Sequence, residues 1–410
     1  MPTLTESTIT HPKKTRVLIL GGGFGGIKAA LELCDSSNLE ATLLSDSTNF
    51  RYYPALYRTA TGASPAVSSI PLAEIFEGKD IRVVKDSAKT LEREAKVIKA
   101  TSGKSYHYDI LIVALGVVTN FFGIKGLAEN AFGIKTLEEA QRLRSHLHRQ
   151  LLDDKKPDLH YVVIGGGPTG VELVGALPTY IRHIMKHHGL AERSLHIELV
   201  EAAPRLMPRM SVRYSARLQK RLRRLGIHLH LKQTVQAETH DNLMVSGQPI
   251  ASHTVIWTAG VTNHPFLKDN KFALSEHGKA TVNEFLQSEP DIYVIGDNAD
   301  TPYSGMAQTA LHDGKFIAAH LKKIAAAKNP VAYIPHKPVY VTPAGPRWAA
   351  VQWGKFSTFG IFGWLLRGGA DFIGYRDYEP WWKASRHWIA EAETDESCPV
   401  CLAANKQPGL

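Results

Sequence analysis

At 410 residues the chain is long enough for two or three domains, and 44% apolar against 21% charged residues is the balance of a folded globular protein, not of a disordered one. The net charge of +9 has one source: from Arg205 to Lys232 there are nine Lys and Arg and no acid. No pattern of interleaved aromatics supports a nucleic-acid surface there, and Leu218, Leu222 and Leu225 at helical spacing make the run a helix with a solvated basic face. Cys34, Cys398 and Cys401 are too few for a disulfide framework and fit a reducing compartment. No apolar run reaches the 18 residues of a spanning helix, and the polar N-terminus leads into a strand, as expected of a cytoplasmic protein.

The first predicted strand, residues 16–20, enters the turn GGGFGG, a helix follows over 26–33, and a second strand, ATLLSD, ends at Asp46. Strand, helix and strand make a βαβ unit, which requires a right-handed crossover and a parallel sheet. Gly21 permits the tight turn, Gly23 lets the backbone approach a pyrophosphate, and Gly26 lets helix and strand pack closely, with Phe24 and Gly25 completing the loop. The helix N-terminus then offers unpaired N–H groups and partial positive charge to phosphates. Asp46 stands 20 residues beyond Gly26, where a carboxylate accepts from ribose hydroxyls. A buried strand, YDILIVALG, follows at 108–116 and brings Ala114 and Gly116 to the same end of the sheet.

A second unit repeats the plan. A strand at 161–164 leads into Gly165, Gly167 and Gly170, with Pro168 and Thr169 between them, then a helix to about residue 187 and a strand ending at Glu201. Glu201 lies 31 residues beyond Gly170, an excess that fits a longer helix and the loop KHHGLAERS. A carboxylate there repels the 2′-phosphate of NADP and favours NAD, although Arg205 keeps NADP open. The run HTVIWTAGV, with Ala259 and Gly260, closes this unit, and the chain resumes the first with DIYVIGD, ending at Asp297, and a helix over 306–323. The expected fold is α/β, with two Rossmann-like dinucleotide-binding domains, the second inserted in the first. The expected boundaries are 15–120 and 257–335 for an FAD domain, 121–256 for an NAD(H) domain, and 336–410 for a C-terminal segment. Two cradles imply two dinucleotides, and the economical pair is FAD with NAD(H).

Six of the seven tryptophans lie in that last segment. There KFSTFGIFGWLLRGGADFIGY spaces Phe356, Phe359, Phe362 and Leu366 at helical intervals, with Ile361, Trp364 and Leu365 widening the stripe. Too short and too broken by glycine to span a bilayer, it reads as a helix lying in a membrane interface. Arg367, Arg376, Lys383 and Arg386 would face anionic lipid, and Trp381, Trp382 and Trp388 the headgroups. Burial in a core or dimer interface is the competing reading. Cys34 reads as a small apolar packing residue, and CPVC, Cys398 to Cys401, as a frayed terminus.

Taken together, LGGGFGGIKAAL, YYPALYRTATG, ALGVVTNFFGIKGLAENAFGIKTLEEA, VVIGGGPTGVELVGAL, VIWTAGV, IYVIGD and AQTALHDGK resemble, in order and spacing, the type II NADH dehydrogenases. The resemblance runs from about residue 16 to 323, with a weaker echo in the tail. It implies a non-covalent FAD at Gly21, Gly23, Phe24, Gly25, Gly26, Asp46, Ala114 and Gly116, with Asp297 on the ribityl chain and Ala307 and Gln308 at the flavin. It implies an NADH site at Gly165, Gly167, Pro168, Thr169, Gly170, Glu172, Glu201, Ala259 and Gly260. Glu172 corresponds to the family glutamate near the two reacting rings, and Gln308 to the glutamine of the quinone pocket. His312 stands where the family commonly has a second glutamine; four residues from Gln308 it shares a helix face and offers a proton for quinone reduction. Glu172, Gln308 and His312 are therefore the catalytic candidates, and no metal is called for.

The implied activity is non-proton-pumping: hydride passes from NADH to FAD and two electrons pass on to a membrane quinone. The implied setting is respiratory electron transport, in a peripheral homodimer on the cytoplasmic side of the cell membrane. The absence of a dithiol beside the flavin sets the chain apart from disulfide reductases and sulfide:quinone oxidoreductases. Two alternatives stay open: a soluble NAD(P)H oxidoreductase using oxygen or a protein acceptor, and an NADH-sensing interaction protein similar to apoptosis-inducing factors.

Overall fold

The computed structural model describes residues 14–152, 159–391 and 393. Among its elements, in chain order, are β1 (Thr15–Leu20), α1 (Phe24–Leu33), β2 (Leu39–Ser45), α2 (Leu56–Ala60), β3 (Arg82–Lys85), β4 (Ile110–Val113), α3 (Leu137–Leu152) and β5 (His160–Ile164). Next come α4 (Pro168–His187), β6 (His196–Glu201), α5 (Val212–Arg224), β7 (Ile227–Leu231), β8 (Val235–Glu238), β9 (Asn242–Val245), β10 (Gln248–Ala251) and β11 (Thr254–Trp257). The chain continues through β12 (Gln287–Glu289), β13 (Ile292–Val294), α6 (Ala307–Ala325), β14 (Tyr340–Pro343), β15 (Ala349–Trp353), β16 (Phe356–Gly360), α7 (Ile361–Arg376) and α8 (Trp381–Ala390). Two compact units result.

The first unit comprises the described residues up to Thr48 with 72–117 and 263–336. Its sheet has the order β12-β13-β4-β1-β2-β3, parallel except for the β12–β13 pair. Val17–Leu20 and 111–113 are unbroken apolar runs and are buried, as strands covered on both faces must be. The chain goes from β1 to β2 on one side and later to β4 on the other, so the end of β1 is a topological switch point, where open α/β sheets bind ligands. Helix α1 packs on α6 through glycine: a Cβ added to Gly25 would lie 3.2 Å from the Ala310 carbonyl oxygen, and one on Gly314 2.6 Å from that of Gly25.

The second unit takes 49–71, 118–262 and the described residues from 337. Its parallel sheet has the order β7-β6-β5-β11, and again the first strand, β5, lies between partners reached in opposite directions. Helices α3, α4 and α5 bury Leu143, Leu147, Leu173, Leu177, Leu218 and Leu222 in one core. The segment 49–71, placed by sequence in the first domain, belongs here because α2 buries Leu56, Tyr57 and Ala60 in that core. The basic face of α5 is not merely solvated. Arg217 lies over the Phe359 ring and Arg221 over Trp348, and Arg221 donates to the Ala344 and Pro346 carbonyls.

The tail joins the second unit rather than standing apart. Strands β14, β15 and β16 form an antiparallel sheet, and Ala344 and Ala350 enter the same core. Gly175 of α4 makes room for it, since a Cβ there would lie 2.7 Å from the Gly345 nitrogen. The expected helical stripe needs correction: Phe356 and Phe359 are in β16, and Gly360, at φ +86°, ends that strand before α7 begins. Only Phe362 and Leu366 of the four are helical.

The sides of α7 are reversed relative to an ordinary surface helix. Its buried positions are Gly363, Arg367, Asp371 and Tyr375, spaced by four, while Ile361, Phe362, Trp364, Leu365, Leu366 and Ile373 are exposed. Arg367, expected at a lipid surface, is 6% exposed, whereas Arg376 and Arg386 do face out. Trp381, Trp382, Trp388 and Ile389 extend the exposed apolar surface along α8. Among the described residues no helix is long and apolar enough to cross a membrane. Cys34 is buried at the end of α1, and Cys398 and Cys401 lie outside the described residues.

Candidate functional site

In the first unit the turn after β1 has the geometry its glycines require. Gly21 has φ +109°, and a Cβ there would collide with the Ala114 carbonyl; one on Gly26 would collide with that of Gly21. Gly23 is different. It caps α1 without a side-chain bond, and a Cβ there would meet nothing within 4 Å. The helix ladder begins only at the Ile27 N–H donating to Gly23, so the N–H groups of the first turn take no part in it. Open space in front of a helix N-terminus is what a pyrophosphate needs, and a larger residue would fill it. Phe24 and Gly25 begin the helix, and Asp46 stands exposed just past β2.

The far wall of this cradle is fixed by two residues the sequence reading missed. Asn298 is fully buried, accepts from Gly116 N–H (2.7 Å) and donates to its carbonyl (2.8 Å), which ties the end of β4 to the 3-10 turn Gly296–Asn298. Asp313 of α6 accepts from Gly296 N–H at 2.9 Å and from Tyr333 Oη at 2.6 Å; burial pushes its carboxyl pKa up. Asp297 is thereby held in the turn, half-buried. Ala307 and Gln308 open α6, with Gln308 exposed. His312 lies one turn on, but its Nε2–H donates to the Ile334 carbonyl (2.9 Å), with its ring against Tyr333 and His336. That nitrogen is engaged with the chain.

The second unit repeats the cradle. Gly165 has φ +113°, a Cβ there would lie 2.8 Å from the Ala259 Cα, and one on Gly170 would collide with the Gly165 carbonyl. Gly167 caps α4, again with nothing within 4 Å of an added Cβ, and Pro168 and Thr169 start the helix. Gly260 passes close to Asn120, where a Cβ would collide with the carbonyl. Glu201 turns back on the turn itself: its Oε2 accepts from Gly166 N–H (2.5 Å) and its Oε1 from Ala203 N–H (2.6 Å). Each carboxylate oxygen keeps a second lone pair for a ribose hydroxyl. Arg205 donates to the carbonyls of Met210 (2.6 Å) and Pro208 (2.5 Å) and to Ser215 Oγ (3.3 Å). The guanidinium that left NADP open in the sequence is thus spent on the backbone.

Glu172 follows in the second turn of α4, and its surroundings were not foreseen. It is buried, with Arg367 Nη1 of α7 3.9 Å from its Oε1. Arg367 Nε bonds Asp371 Oδ2 (2.7 Å), and Arg58 of α2 bridges Asp371 (3.0 Å) to Glu391 (2.8 Å). Tyr57 Oη accepts from Arg58 Nε, and Tyr375 Oη donates to Glu391 Oε1 and stacks on Tyr52. Three carboxyls face two guanidiniums, so one counter-charge is missing and a proton is held in its place. Burial pushes Glu172 up to about 7, with Arg367 pulling against it, and burial with Asp371 does the same for Glu391. Among the described residues Arg367 Nη2 is buried without a partner. The signal in the sequence was YYPALYR, which supplies Tyr52, Tyr57 and Arg58, but Asp371 and Tyr375, the partners of Arg58 and Tyr52, lie more than 300 residues on.

A family model described as pyridine nucleotide-disulphide oxidoreductase matches residues 15–314. A type II NADH:quinone oxidoreductase of Mycobacterium tuberculosis is 28% identical over 352 residues, covering 79% of this chain and 76% of that protein. Among solved structures, NDH2 of Plasmodium falciparum in complex with NADH superposes with a TM-score of 0.82 at 17% identity, over 92% of this chain and 97% of that one. The sulfide:quinone oxidoreductase of Aquifex aeolicus does so with a TM-score of 0.76 at 18% identity, over 94% and 98%. At these identities the two structures speak for the fold.

Proposed function

Because the chain belongs to the pyridine nucleotide-disulphide oxidoreductase family, we propose that it is an FAD-dependent type II NADH:quinone oxidoreductase. The observation that carries this reading is the pair of cradles, each at the switch point of its own parallel sheet and each open in front of its helix N-terminus. Bound flavin supplies the two-electron chemistry, accepting hydride from NADH and passing two electrons to a quinone. Gly21, Gly23 and Gly26 hold the flavin's pyrophosphate, Asp46 its ribose, and Asp297 the ribityl chain. Gly165, Gly167 and Gly170 hold that of NADH, with Glu201 on the ribose. Asn298 and Asp313 are positioning residues that fix Gly116 and Gly296.

The overall reaction, NADH + H⁺ + quinone giving NAD⁺ + quinol, consumes one proton beyond the hydride. Glu172, with its carboxyl held near neutrality, is the group suited to carry it, and Arg367 holds that carboxyl in place. Gln308, exposed at the start of α6, is left as the polar contact to the quinone, without His312.

The reversed α7 supports attachment to a membrane surface on the cytoplasmic side, where NADH is found. Moving Ile361, Phe362, Leu365 and Leu366 into lipid gains about 1.5 kcal/mol each, because roughly half of each is still exposed. Arg376 and Arg386 add about 1 kcal/mol each on anionic lipid. A second copy is the competing occupant of this face. Flotation with vesicles of anionic lipid, beside sedimentation without lipid, separates a membrane face from a homodimer face.

The test of the activity is the visible spectrum of the purified protein. Flavin bands should bleach on NADH under nitrogen and return on adding a short-chain quinone faster than on admitting oxygen. A colourless protein that takes up no flavin, or bands that only oxygen restores, would reject the reading.

A further inference from the structure

Hairpin β9–β10 brings together three metal-ligating side chains that the dinucleotide chemistry does not use. Its strands pair from Val245↔Gln248 to Asn242↔Ala251, joined by Ser246 and Gly247, both at positive φ (46° and 83°). A two-residue turn with both central residues at positive φ matches the twist of the strands and fixes their register. The register carries past the strand ends. Ser252 N–H donates to the Asp241 carbonyl (3.2 Å), and the next pair outward is His240 with His253, rings 5.4 Å apart. Between the rings lies the Asp241 carboxylate, its Oδ1 3.0 Å from His240 Nδ1 and 3.0 Å from His253 Nε2.

We propose that His240, Asp241 and His253 form a binding site for a divalent ion of the zinc class. Their ligand atoms all lie within 4.8 Å of one another. A tetrahedral ion with bonds of about 2.0–2.2 Å requires ligand atoms roughly 3.3–3.6 Å apart, so each of the two His–Asp pairs, at 3.0 Å, opens by a few tenths of an ångström, and the two exposed rings set their own spacing by side-chain rotation. Two imidazoles and one carboxylate suit zinc, copper or nickel, whereas magnesium and calcium take oxygen shells. The three side chains are 83%, 69% and 41% exposed, which leaves the fourth position to water. His253 directly precedes β11, the strand that leads to Ala259 and Gly260, and the turn Thr239–Asn242 is closed by Thr239 bonding Asn242. The ion therefore clips the hairpin base to the parallel sheet of its unit.

The test uses the untagged, full-length, flavin-loaded protein, stripped with chelator and titrated calorimetrically with zinc chloride, then with magnesium chloride. Zinc should bind with one equivalent at this site and raise the thermal midpoint, and magnesium should do neither. His240→Asn and His253→Asn, both at exposed positions, should each weaken that binding by about tenfold or more and abolish the midpoint rise. Cys398→Ser with Cys401→Ser should leave it intact. Zinc binding unchanged in His253→Asn, or lost in the double cysteine variant, would overturn the proposal, as would no saturable zinc binding at all.

Discussion

After β1 the glycine turn leads into α1, ten residues long, and after β5 the matching turn leads into α4, of 20. Two residues beyond the last glycine of each motif stand Lys28 and Glu172, equivalent positions with opposite charge and equal burial, each 9% exposed. Lys28 finds Glu32 one turn along its own helix, at 2.9 Å. Glu172 finds Arg367 on α7, 195 positions away in the chain, at 3.9 Å, within a cluster where carboxyls outnumber guanidiniums. The cradle is thus a repeated backbone device, and the two modules diverge one turn further along. There the first neutralises its charge locally, and the second keeps a carboxyl short of counter-charge.

The most damaging substitutions separate the two cradles. Gly23 and Gly167 have extended backbone that any residue adopts, so a side chain there fills the phosphate space without straining the turn. Gly23→Asp should yield folded protein without flavin absorbance, because a carboxylate takes the place of the pyrophosphate. Gly167→Asp should retain flavin but lose on the order of 100-fold in the rate of bleaching at low NADH, equivalent to about 2.7 kcal/mol. Loss of flavin from Gly167→Asp with none from Gly23→Asp would reverse the assignment of the two modules.

Next come the counter-charges. Arg367→Ala leaves Glu172 buried without its counter-charge and Asp371 with Arg58 alone, and Arg58→Ala leaves Glu391 buried without its counter-charge and Asp371 with Arg367 alone; each should cost about 3–5 kcal/mol. Lys28→Ala should cost no more than about 1 kcal/mol, since Glu32 remains partly in water. Urea denaturation of the three variants reads the difference directly, and equal losses would erase the contrast between the helices.

The pH dependence is the third lever. Glu172 sits at about 7 in the folded protein against an ordinary 4.5, so the native state holds its proton more tightly than the unfolded chain does. Its contribution to stability is complete below about pH 4.5 and is lost as the pH rises through about 7, roughly 3 kcal/mol in all. Glu391, at about 7 in the same cluster, steepens that fall. Glu172→Gln should flatten the decline in unfolding free energy between pH 5 and 8 and should remove the alkaline limb of quinone reduction. A Glu172→Gln protein with the same pH profile as the parent would take the proton-carrying role from Glu172.

What was legible in the sequence and what was not divides along the same line. Gly21 to Asp46 and Gly165 to Glu201 are local patterns whose strands, turns and helices follow from residues within about one βαβ unit, and the helices began within two residues of the glycines that start them. Segment 49–71 falls in the second unit, and its apolar residues carry no mark in the sequence of which core they enter. The tail stripe failed because Gly360 changes the period from strand to helix between Phe359 and Ile361. Arg58, Arg367, Asp371 and Glu391 were invisible as a group: each is an ordinary surface residue type until the tail folds back on α2 and α4. His240 and His253 were overlooked for a milder reason, since counting outward from the Ser246–Gly247 turn pairs them.

The smallest expected effect concerns nucleotide choice, where the second cradle again differs from the first by a residue turned inward. Arg205 follows Glu201 by four positions, close enough in sequence to serve as a ligand for a 2′-phosphate, yet its three hydrogen bonds go to Met210, Pro208 and Ser215. Arg205→Ala should therefore lower stability by about 1 kcal/mol, as the Met210 carbonyl and the exposed Pro208 carbonyl lose their donor, while the ratio of kcat/KM for NADH over NADPH stays within about twofold. A phosphate ligand would behave the other way: its removal would depress NADPH turnover by about tenfold and leave the fold alone, as expected for losing one charge-assisted contact. Glu201→Ser separates the remaining contribution. It takes away the acceptor for Gly166 N–H together with the charge that repels a 2′-phosphate, so the NADH preference should narrow only in that variant.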